Sequence, residues 1–101
     1  MEIKETEEFS KWLKGLRDAK AKAKVVTRLL RLADGNPGDV GPVGDGISEL
    51  RIDFGPGYRV YYVQSGRAYV ALCGGDKSTQ TKDISSAKAL AAEKKAADRQ
   101  E

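Results

Sequence analysis

Apolar and polar residues alternate through the centre of the chain, which is the pattern of half-buried β-strands. Two runs rich in β-branched and aromatic residues, Ile47 to Phe54 and Tyr58 to Gln64, meet at Gly55-Pro56-Gly57. This arrangement predicts two strands folded back on each other. A third strand, about Arg67 to Cys73, is expected after the turn Gln64-Ser65-Gly66. The three runs together predict an antiparallel meander.

The period of two assigns the side chains of the first strand to opposite faces of the sheet. One face carries the apolar residues Leu50, Ile52 and Phe54. The other face carries the charged residues Glu49, Arg51 and Asp53. We expect the apolar face to pack against helices and the charged face to hold the functional groups.

Two amphipathic helices are predicted before these strands. Thr6 can cap the first, whose apolar residues follow the i, i+3, i+4, i+7 spacing of one buried stripe: Phe9, Trp12, Leu13 and Leu16. Asp18 can cap the second, Ala19 to about Ala33, whose predicted stripe is Val25, Val26, Leu29, Leu32 and Ala33. Almost no loop separates the helices, so we expect a hairpin that packs on one side of the sheet.

The remaining segments complete a single α+β domain that spans the whole chain, 1-101. Met1 to Glu5 predicts a short first strand, and the Gly- and Pro-rich stretch Asp34 to Gly46 predicts a loop. A final helix, capped by Asp76 or Ser78, is expected to follow the third strand. The expected architecture is an N-terminal helical hairpin packed on an antiparallel sheet, with a C-terminal helix.

Positive charge is concentrated in the helical part of the chain. The net charge is only +3, but eight Lys or Arg residues and a single acid, Asp18, lie between Lys11 and Arg31. Such a surface suits phosphates or an acidic protein partner, although a solvated helix face explains the same composition. The residues predicted to form this phosphate-binding surface are Lys20, Lys22, Lys24, Arg28 and Arg31.

Two residue types limit the possible chemistry. The chain has no histidine, which removes the commonest general base and the imidazole metal ligand. It has one cysteine, Cys73, which excludes an intrachain disulfide and a thiolate cluster and which we predict to be a small buried strand residue. We expect no metal and no cofactor. The charged N-terminus and the lack of a long apolar run predict a cytoplasmic protein without a membrane span.

Three cations occupy positions from which they can converge on one face of the meander. Arg51 lies on the polar face of the first strand, Arg59 begins the second, and Lys77 follows the third. RNA can be cut without a metal when the ribose 2′-OH attacks its own 3′-phosphate, and arginine stabilises the dianionic transition state through its planar fork. We therefore predict that Arg51, Arg59 and Lys77 are catalytic, with Lys77 binding phosphate or accepting a proton.

Simpler roles exist for two of these cations, and further residues are candidates for substrate binding. Arg51 can instead form an ion pair with Glu49 or Asp53, and Lys77 can be an exposed residue at a helix start. The predicted substrate-binding residues are Tyr58, Tyr61, Asp53 and Lys82. The two tyrosines flank Arg59 and can stack on a base, but only one of their faces can be the active one.

Two stretches carry a resemblance to a known family: SELRIDFGPGYRVYY and LCGGDKSTQTKDI. They resemble the RelE/HigB-like toxins of bacterial type II toxin-antitoxin modules, in the addiction module killer protein branch of the RelE/ParE superfamily. The resemblance implies a ribosome-dependent endoribonuclease, an mRNA interferase that cuts translated mRNA in the ribosomal A site and arrests growth. In that pattern Arg51 and Arg59 match strand arginines, and Lys77 matches the lysine of the GGDKS junction.

The same resemblance implies partners and leaves the proton-transfer groups open. The implied partners are the 70S ribosome with its mRNA and a cognate antitoxin, expected to be a helix-turn-helix DNA-binding protein. No aromatic residue follows Tyr69, so the C-terminal tyrosine of RelE has no counterpart, and the histidine of some HigB proteins is absent. Two other hypotheses therefore stand: a ParE-like inhibitor of DNA gyrase without nuclease activity, and an inactive domain that only binds its antitoxin.

Overall fold

The computed structural model of the protein describes residues 1–99 and shows an α+β fold, as predicted. Five strands, three helices and one 3₁₀ turn follow each other within these residues. In order they are β1 (Glu2–Glu5), α1 (Glu7–Gly15), α2 (Ala19–Ala33), β2 (Val40–Gly44), β3 (Ile47–Ile52), β4 (Tyr58–Ser65), β5 (Ala68–Asp76), the 3₁₀ turn Lys77–Thr79 and α3 (Gln80–Arg99). None of the helices within residues 1–99 combines the length and apolar composition needed to cross a bilayer.

All five strands form one sheet, in the order β1-β5-β4-β3-β2. The predicted meander is present as β3, β4 and β5, each antiparallel to the next. The expectation of a wholly antiparallel sheet was wrong, because β1 pairs with β5 in parallel. The expectation of a loop over Asp34 to Gly46 was also wrong in part, because β2 lies within it and pairs with β3.

The edge strand β2 was not predicted because of its composition. Its sequence VGPVG is poor in strand formers, and Pro42 is tolerated because β2 is the last strand of the sheet. The turn that joins β2 to β3 contains Asp45 and Gly46 with φ angles of 57° and 77°. Positive φ at both residues is typical of the tight Asp-Gly hairpin turn. Pairing with the backbone of β3 therefore holds residues 40–44 in a strand conformation that their composition does not favour.

The helices begin where their capping residues predicted. Thr6 Oγ1 accepts a hydrogen bond from the Phe9 backbone N–H at 3.0 Å. The Asp18 carboxylate accepts from the N–H groups of Lys20 and Ala21 at 2.9 and 3.3 Å. Each cap satisfies donors that the first helical turn leaves unpaired. The helix boundaries near the N-terminus are thus fixed locally.

Both N-terminal helices pack on the same face of the sheet and form the first core. Its buried residues come from α1, α2 and three strands: Phe9, Val25, Leu29, Leu32, Leu50, Ile52, Val60, Tyr62 and Ala71. Val26 was wrongly predicted to belong to this core and is 40% exposed. Val26 lies about 100° around the helix from Val25 and falls outside the buried face formed by Val25, Leu29 and Leu32.

The opposite face of the sheet is covered by α3 and carries a second core. Its buried residues are Ile47, Tyr61, Val70, Leu72, Cys73, Ala87 and Ala91. The second face, which was predicted to carry charge and not a core, is therefore packed as well. Alanines on α3 allow the helix to lie close to the strands, so even Glu49, on this face of β3, is only 2% exposed.

A β-bulge in β5 controls which face its last residues occupy. Tyr61 pairs with Cys73 but Tyr62 pairs with Ala71, so Leu72 is the extra residue. An extra residue reverses the alternation of side chains beyond it. Gly74 therefore faces the ring of Trp12 in α1, and Gly75 faces Asp83 of α3. The bulge thus brings a helix close to β5 on each side.

Asp76 caps the 3₁₀ turn that leads into α3. Its carboxylate accepts hydrogen bonds from the backbone N–H of Ser78 at 2.8 Å and from the Ser78 hydroxyl. These hydrogen bonds from Ser78 lower the pKa of the Asp76 carboxyl group. Of the two predicted caps, Asp76 is the one used. It places Lys77 directly at the junction between β5 and α3.

The contact of Gly74 with Trp12 gives a stability prediction. We expect Gly74→Ala to lower the free energy of unfolding by about 1 to 3 kcal/mol, because a Cβ at this position would overlap the Trp12 ring. Urea denaturation followed by circular dichroism measures the change. Gly15→Ala is the matched control, since no atom lies within 4 Å of a Cβ added there. Equal stability of Gly74→Ala and the parent protein would contradict the packing described here.

Candidate active site

Arg51 of β3 and Arg59 of β4 are directly opposite each other in the antiparallel ladder. Their side chains therefore leave the sheet on the same face, side by side. Together with Lys77 they line a cavity of about 170 Å³. The other lining residues are Asp39, Asp53 and Gly57. The structure thus brings together the three cations that the sequence predicted to converge.

A buried carboxylate lies between these arginines and the α3 helix. Glu49 Oε1 accepts a hydrogen bond from Arg51 Nε at 3.0 Å and is 3.8 Å from Arg59 Nε. Glu49 Oε2 accepts from the Tyr61 hydroxyl at 3.1 Å and from Gln80 Nε2 at 2.6 Å. Like charges opposite each other destabilise a sheet, so the carboxylate offsets the repulsion of the two guanidinium groups.

Arg59 is held tightly although it carries a charge. It is 8% exposed, and its Nη1 donates to the backbone oxygen of Tyr58 at 3.1 Å. Its buried Nε has no hydrogen-bond partner among residues 1–99, since Glu49 Oε1 at 3.8 Å is too distant for one. The Arg59 side chain lines the cavity, where a guanidinium is suited to bind an anion.

Arg51 is more exposed than Arg59 and pairs with two acids. Its Nη1 lies 3.1 Å from Asp39 Oδ1, in addition to the contact of its Nε with Glu49. The hydrogen bonds to Asp39 and Glu49 raise the pKa of the Arg51 guanidinium, which stays protonated. The simpler role considered for Arg51, an ion pair with Glu49, is therefore present. The two partners of this ion pair, Arg51 and Glu49, are two residues apart on strand β3.

The edge strand β2 makes room for Arg51. The Arg51 guanidinium lies against Gly41, where an added Cβ would be 2.5 Å from Nη2. Gly41 pairs with Glu49 in the ladder, so the guanidinium crosses β2 at a residue without a side chain. Asp39, which precedes β2, then reaches the same guanidinium. The strand that the sequence did not predict is thus one wall of the site.

Lys77 completes the cavity from the opposite side. Its ammonium group makes no ion pair or hydrogen bond within the part of the chain that the structure describes. Its carbon stem lies over Gly57, about 3.2 Å from the position that a Cβ would occupy there. Gly57 has a φ of 83°, which glycine adopts without strain. The Gly-Pro-Gly turn therefore supports Lys77 beside Arg59.

The predicted substrate-binding residues do not all reach this cavity. Asp53 is exposed and lines it. Tyr58 belongs to the other face of the sheet, where its ring packs edge-on against Trp12 at 6.3 Å. Tyr61 is on the correct face but is fully buried beneath α3, so its ring cannot stack on a base in this structure. Lys82 is exposed on α3 and does not line the cavity.

Tyr61 and Cys73 are buried groups whose protonated forms are favoured. Burial, followed by the nearby Glu49 charge, raises the pKa of the Tyr61 hydroxyl well above its usual range. Burial likewise raises the pKa of the Cys73 thiol to about 12. Tyr61 is therefore a hydrogen-bond donor to Glu49 at neutral pH. Cys73 is a structural residue of the second core, as predicted, because a thiol held protonated is a poor nucleophile.

The basic residues of α2 divide into two groups. Lys24, Arg28 and Arg31 line a second cavity of about 300 Å³, which shares Asp53 with the first. Arg28 is structural, because its guanidinium donates to the backbone oxygens of Pro37, Asp39 and Arg51. Lys24 lies over the Phe54 ring at 5.1 Å. Lys20 is exposed, and Lys22 approaches the Lys14 backbone oxygen at 3.5 Å.

The groups that could hold a metal are few. Within residues 1–99, His, Cys, Asp and Glu do not cluster in threes at a spacing suited to a metal ion. Asp39 and Asp53 both line the arginine cavity, but Asp39 is already paired with Arg51. The chemistry that this arrangement offers most directly is binding of an anion by preorganised cations.

The model of one protein family, described as Phage derived protein Gp49-like (DUF891), matches residues 11–100. That match covers most of the chain, including the second half of α1, all of α2, the strands β2 to β5 and α3. The chain belongs to the Gp49-like family. This family is toxin-like and is linked to toxin-antitoxin modules.

One relative of this Gp49-like chain is an uncharacterized protein of Haemophilus influenzae. The two are 55% identical over 94 residues, which is 92% of this chain and 95% of the relative. No solved structure gives a significant match. The similarity therefore extends over nearly the full length of both proteins.

Sequence reasoning missed two contributors to the site, Asp39 and Gln80, and it considered Glu49 only as an ion-pair partner of Arg51, without its burial. A signal for the burial of Glu49 was present, because Ile47 lies on the same strand face two residues earlier. Tyr61 and Val63 occupy the same face of β4, so an apolar neighbourhood was readable there too. Asp39 and Gln80 carried no such signal, since their places depend on β2 and on the docking of α3.

The contacts of Arg28 predict that it stabilises the fold. We expect Arg28→Ala to lower the free energy of unfolding by about 2 to 4 kcal/mol, because three backbone oxygens lose a charged donor. Arg31→Ala removes the same charge from an exposed position three residues away and should change stability by less than about 0.5 kcal/mol. Urea denaturation measures both. Equal effects of the two substitutions would argue against a structural Arg28.

Proposed function

We propose that the protein is the toxin of a bacterial type II toxin-antitoxin system and acts as a ribosome-dependent endoribonuclease of the RelE/HigB type. Membership of the toxin-like Gp49-like family supports the first part. The observation that carries the second is the cavity that Arg51, Arg59 and Lys77 line together. Its size and charge suit a phosphodiester of an RNA backbone.

The proposed reaction is transesterification at that phosphodiester. The ribose 2′-hydroxyl loses its proton to water as its oxygen attacks the adjacent phosphorus. The bond from phosphorus to the 5′-oxygen breaks, the leaving oxygen takes up a proton from Lys77 or from water, and a 2′,3′-cyclic phosphate and a 5′-hydroxyl end are formed. Negative charge develops on the phosphoryl oxygens as the bond forms. Arg59, already fixed by Glu49 and by Tyr58 backbone, would donate to these oxygens without reorganising.

Arg51 would bind the phosphate by exchanging one acidic partner for it. Its ion pair with Asp39 is exposed on both sides, with side-chain exposures of 37% and 63%. Exposed ion pairs contribute little to stability, so a phosphate would be able to displace the Asp39 carboxylate. The contact of Arg51 Nε with buried Glu49 would remain and keep the guanidinium aimed at the cavity.

Lys77 would supply the third positive charge. Its ammonium is unpaired within residues 1–99 and can donate to a phosphoryl oxygen or to the departing 5′-oxygen. Asp53 lines the same cavity and would orient the ribose. The exposed basic residues of α2, Lys20, Lys24 and Arg31, would contact the ribosome or neighbouring RNA phosphates. The proposed antitoxin would silence the protein by covering this basic surface or by displacing α3.

The prediction for function uses Lys77→Ala, because Lys77 is exposed and its loss does not unpair another charge. We expect growth arrest to be lost and cleavage of ribosome-bound mRNA to fall by about 10²-fold, since one preorganised cation is removed. Lys14→Ala is the matched control: it removes an exposed lysine of α1, on the other face of the sheet, that forms no ion pair within residues 1–99. The control should retain both activities.

A reconstituted translation reaction separates the alternatives. Cuts in the mRNA at the A-site codon that appear only with ribosomes support the proposal. Intact mRNA together with stalled DNA gyrase would instead favour a ParE-like inhibitor, and inactivity in both assays an inactive antitoxin-binding domain. Full toxicity of Lys77→Ala would remove Lys77 from the proposed site.

A further inference from the structure

We propose that Glu49 is a positioning residue, which holds Arg51 and Arg59 side by side in the orientation needed to bind the scissile phosphate. This inference rests on the proposed function, and it assigns a role to a residue that would not itself touch the substrate. The evidence is the set of contacts around the two carboxylate oxygens, together with the burial of the site.

The two oxygens of Glu49 have separate partners. Oε1 faces the arginines, with Arg51 Nε at 3.0 Å and Arg59 Nε at 3.8 Å. Oε2 faces away from them and accepts from Tyr61 and Gln80 at 3.1 and 2.6 Å. One oxygen therefore holds the cations, and the other anchors the carboxylate to β4 and to the first residue of α3.

The position of Arg59 depends strongly on this carboxylate. Arg51 and Arg59 are cross-strand neighbours, so their charges repel each other most when water is excluded. Arg59 is 8% exposed. Within residues 1–99, Glu49 is the one acid that forms an ion pair with it. Without the negative charge, we expect the buried guanidinium to turn toward solvent, since an uncompensated buried charge is costly.

Glu49 is better placed to hold the arginines than to move a proton. It is 2% exposed, and each of its oxygens already accepts from at least one donor. A general base must reach the proton that it removes, and the cavity is lined by other residues. Burial raises the pKa of Tyr61, which keeps that hydroxyl protonated and donating to Glu49. The network is therefore built to keep one arrangement fixed.

The test compares Glu49→Gln with the parent protein by two measurements. Nitrogen-15 NMR follows exchange with water of the Nε–H protons of Arg51 and Arg59, and we expect Glu49→Gln to accelerate it by at least ~10-fold because both groups become mobile. Single-codon cleavage assays on ribosome complexes measure the rate. We expect kcat to fall ~10 to 100-fold and KM to change less than ~3-fold, because geometry in the transition state is lost.

Asp45→Asn is the matched control, because it also converts an acid to its amide but lies exposed in the turn between β2 and β3. It should leave exchange and cleavage unchanged. If Glu49→Gln does not fold, as judged by circular dichroism, Gln80→Ala replaces it and removes only one donor from Oε2. We expect Gln80→Ala to accelerate Nε–H exchange and to lower kcat as well, but by smaller factors than Glu49→Gln.

The outcomes separate this inference from the proposed function. The positioning role is overturned if Glu49→Gln folds and the Nε–H protons of Arg51 and Arg59 exchange as slowly as in the parent, whatever the activity of the variant. The same holds for Gln80→Ala where it replaces Glu49→Gln. Accelerated exchange with unchanged kcat would also overturn it. If the parent protein cuts no mRNA, the proposed function fails, and accelerated exchange still supports Glu49 as the residue that orders the two arginines.

Discussion

A single buried carboxylate, that of Glu49, joins three parts of this protein. It contacts the arginines of β3 and β4, the tyrosine on the inner face of β4, and the first residue of α3. A buried acid is costly unless its charge and hydrogen-bonding capacity are matched, and here both are. The site cations and the docking of α3 consequently depend on the same group. A substitution at the arginines is therefore expected to affect the docking of α3, and a substitution at the start of α3 is expected to affect the arginines.

The close approach of helices to β5 is the second constraint. Two consecutive glycines, Gly74 and Gly75, face Trp12 on one side and Asp83 on the other. The bulge at Leu72 sets which glycine faces which helix, and it does so just before the chain reaches Lys77. Packing on both faces of a sheet requires apolar residues at successive strand positions, which explains the nearly continuous apolar run in β4. Fold and site therefore share the end of β5.

Family membership and geometry support different parts of the functional proposal. The Gp49-like match covers residues 11–100 and points to a toxin-like protein of toxin-antitoxin modules. The geometry adds a cavity in which two guanidinium groups and one ammonium group meet, next to three carboxylates of which one is buried. Because acids lie beside its cations, the net charge of the site is small, and the proposed binding of a phosphate would depend on the orientation of the donors.

Much of the fold followed from local rules in the sequence. The caps Thr6 and Asp18, the apolar stripes of α1 and α2, and the turn Gly55-Pro56-Gly57 are effects of neighbouring residues, so they were readable without the structure. The convergence of Arg51, Arg59 and Lys77 was also predictable as a possibility, since an antiparallel meander places alternate residues on one face. What such patterns lack is register and the identity of whatever covers each face.

The tertiary structure decided the rest, because these features depend on residues distant in the chain. Strand β2 exists through its pairing with β3, and this pairing places Asp39, the residue before β2, and the gap at Gly41 next to Arg51. The docking of α3 buries Tyr61 and turns Glu49 from a surface acid into an internal one. The sequence alone determined the local elements and the kinds of charged group available. Long-range packing determined which of those groups are buried, and so which can meet a substrate.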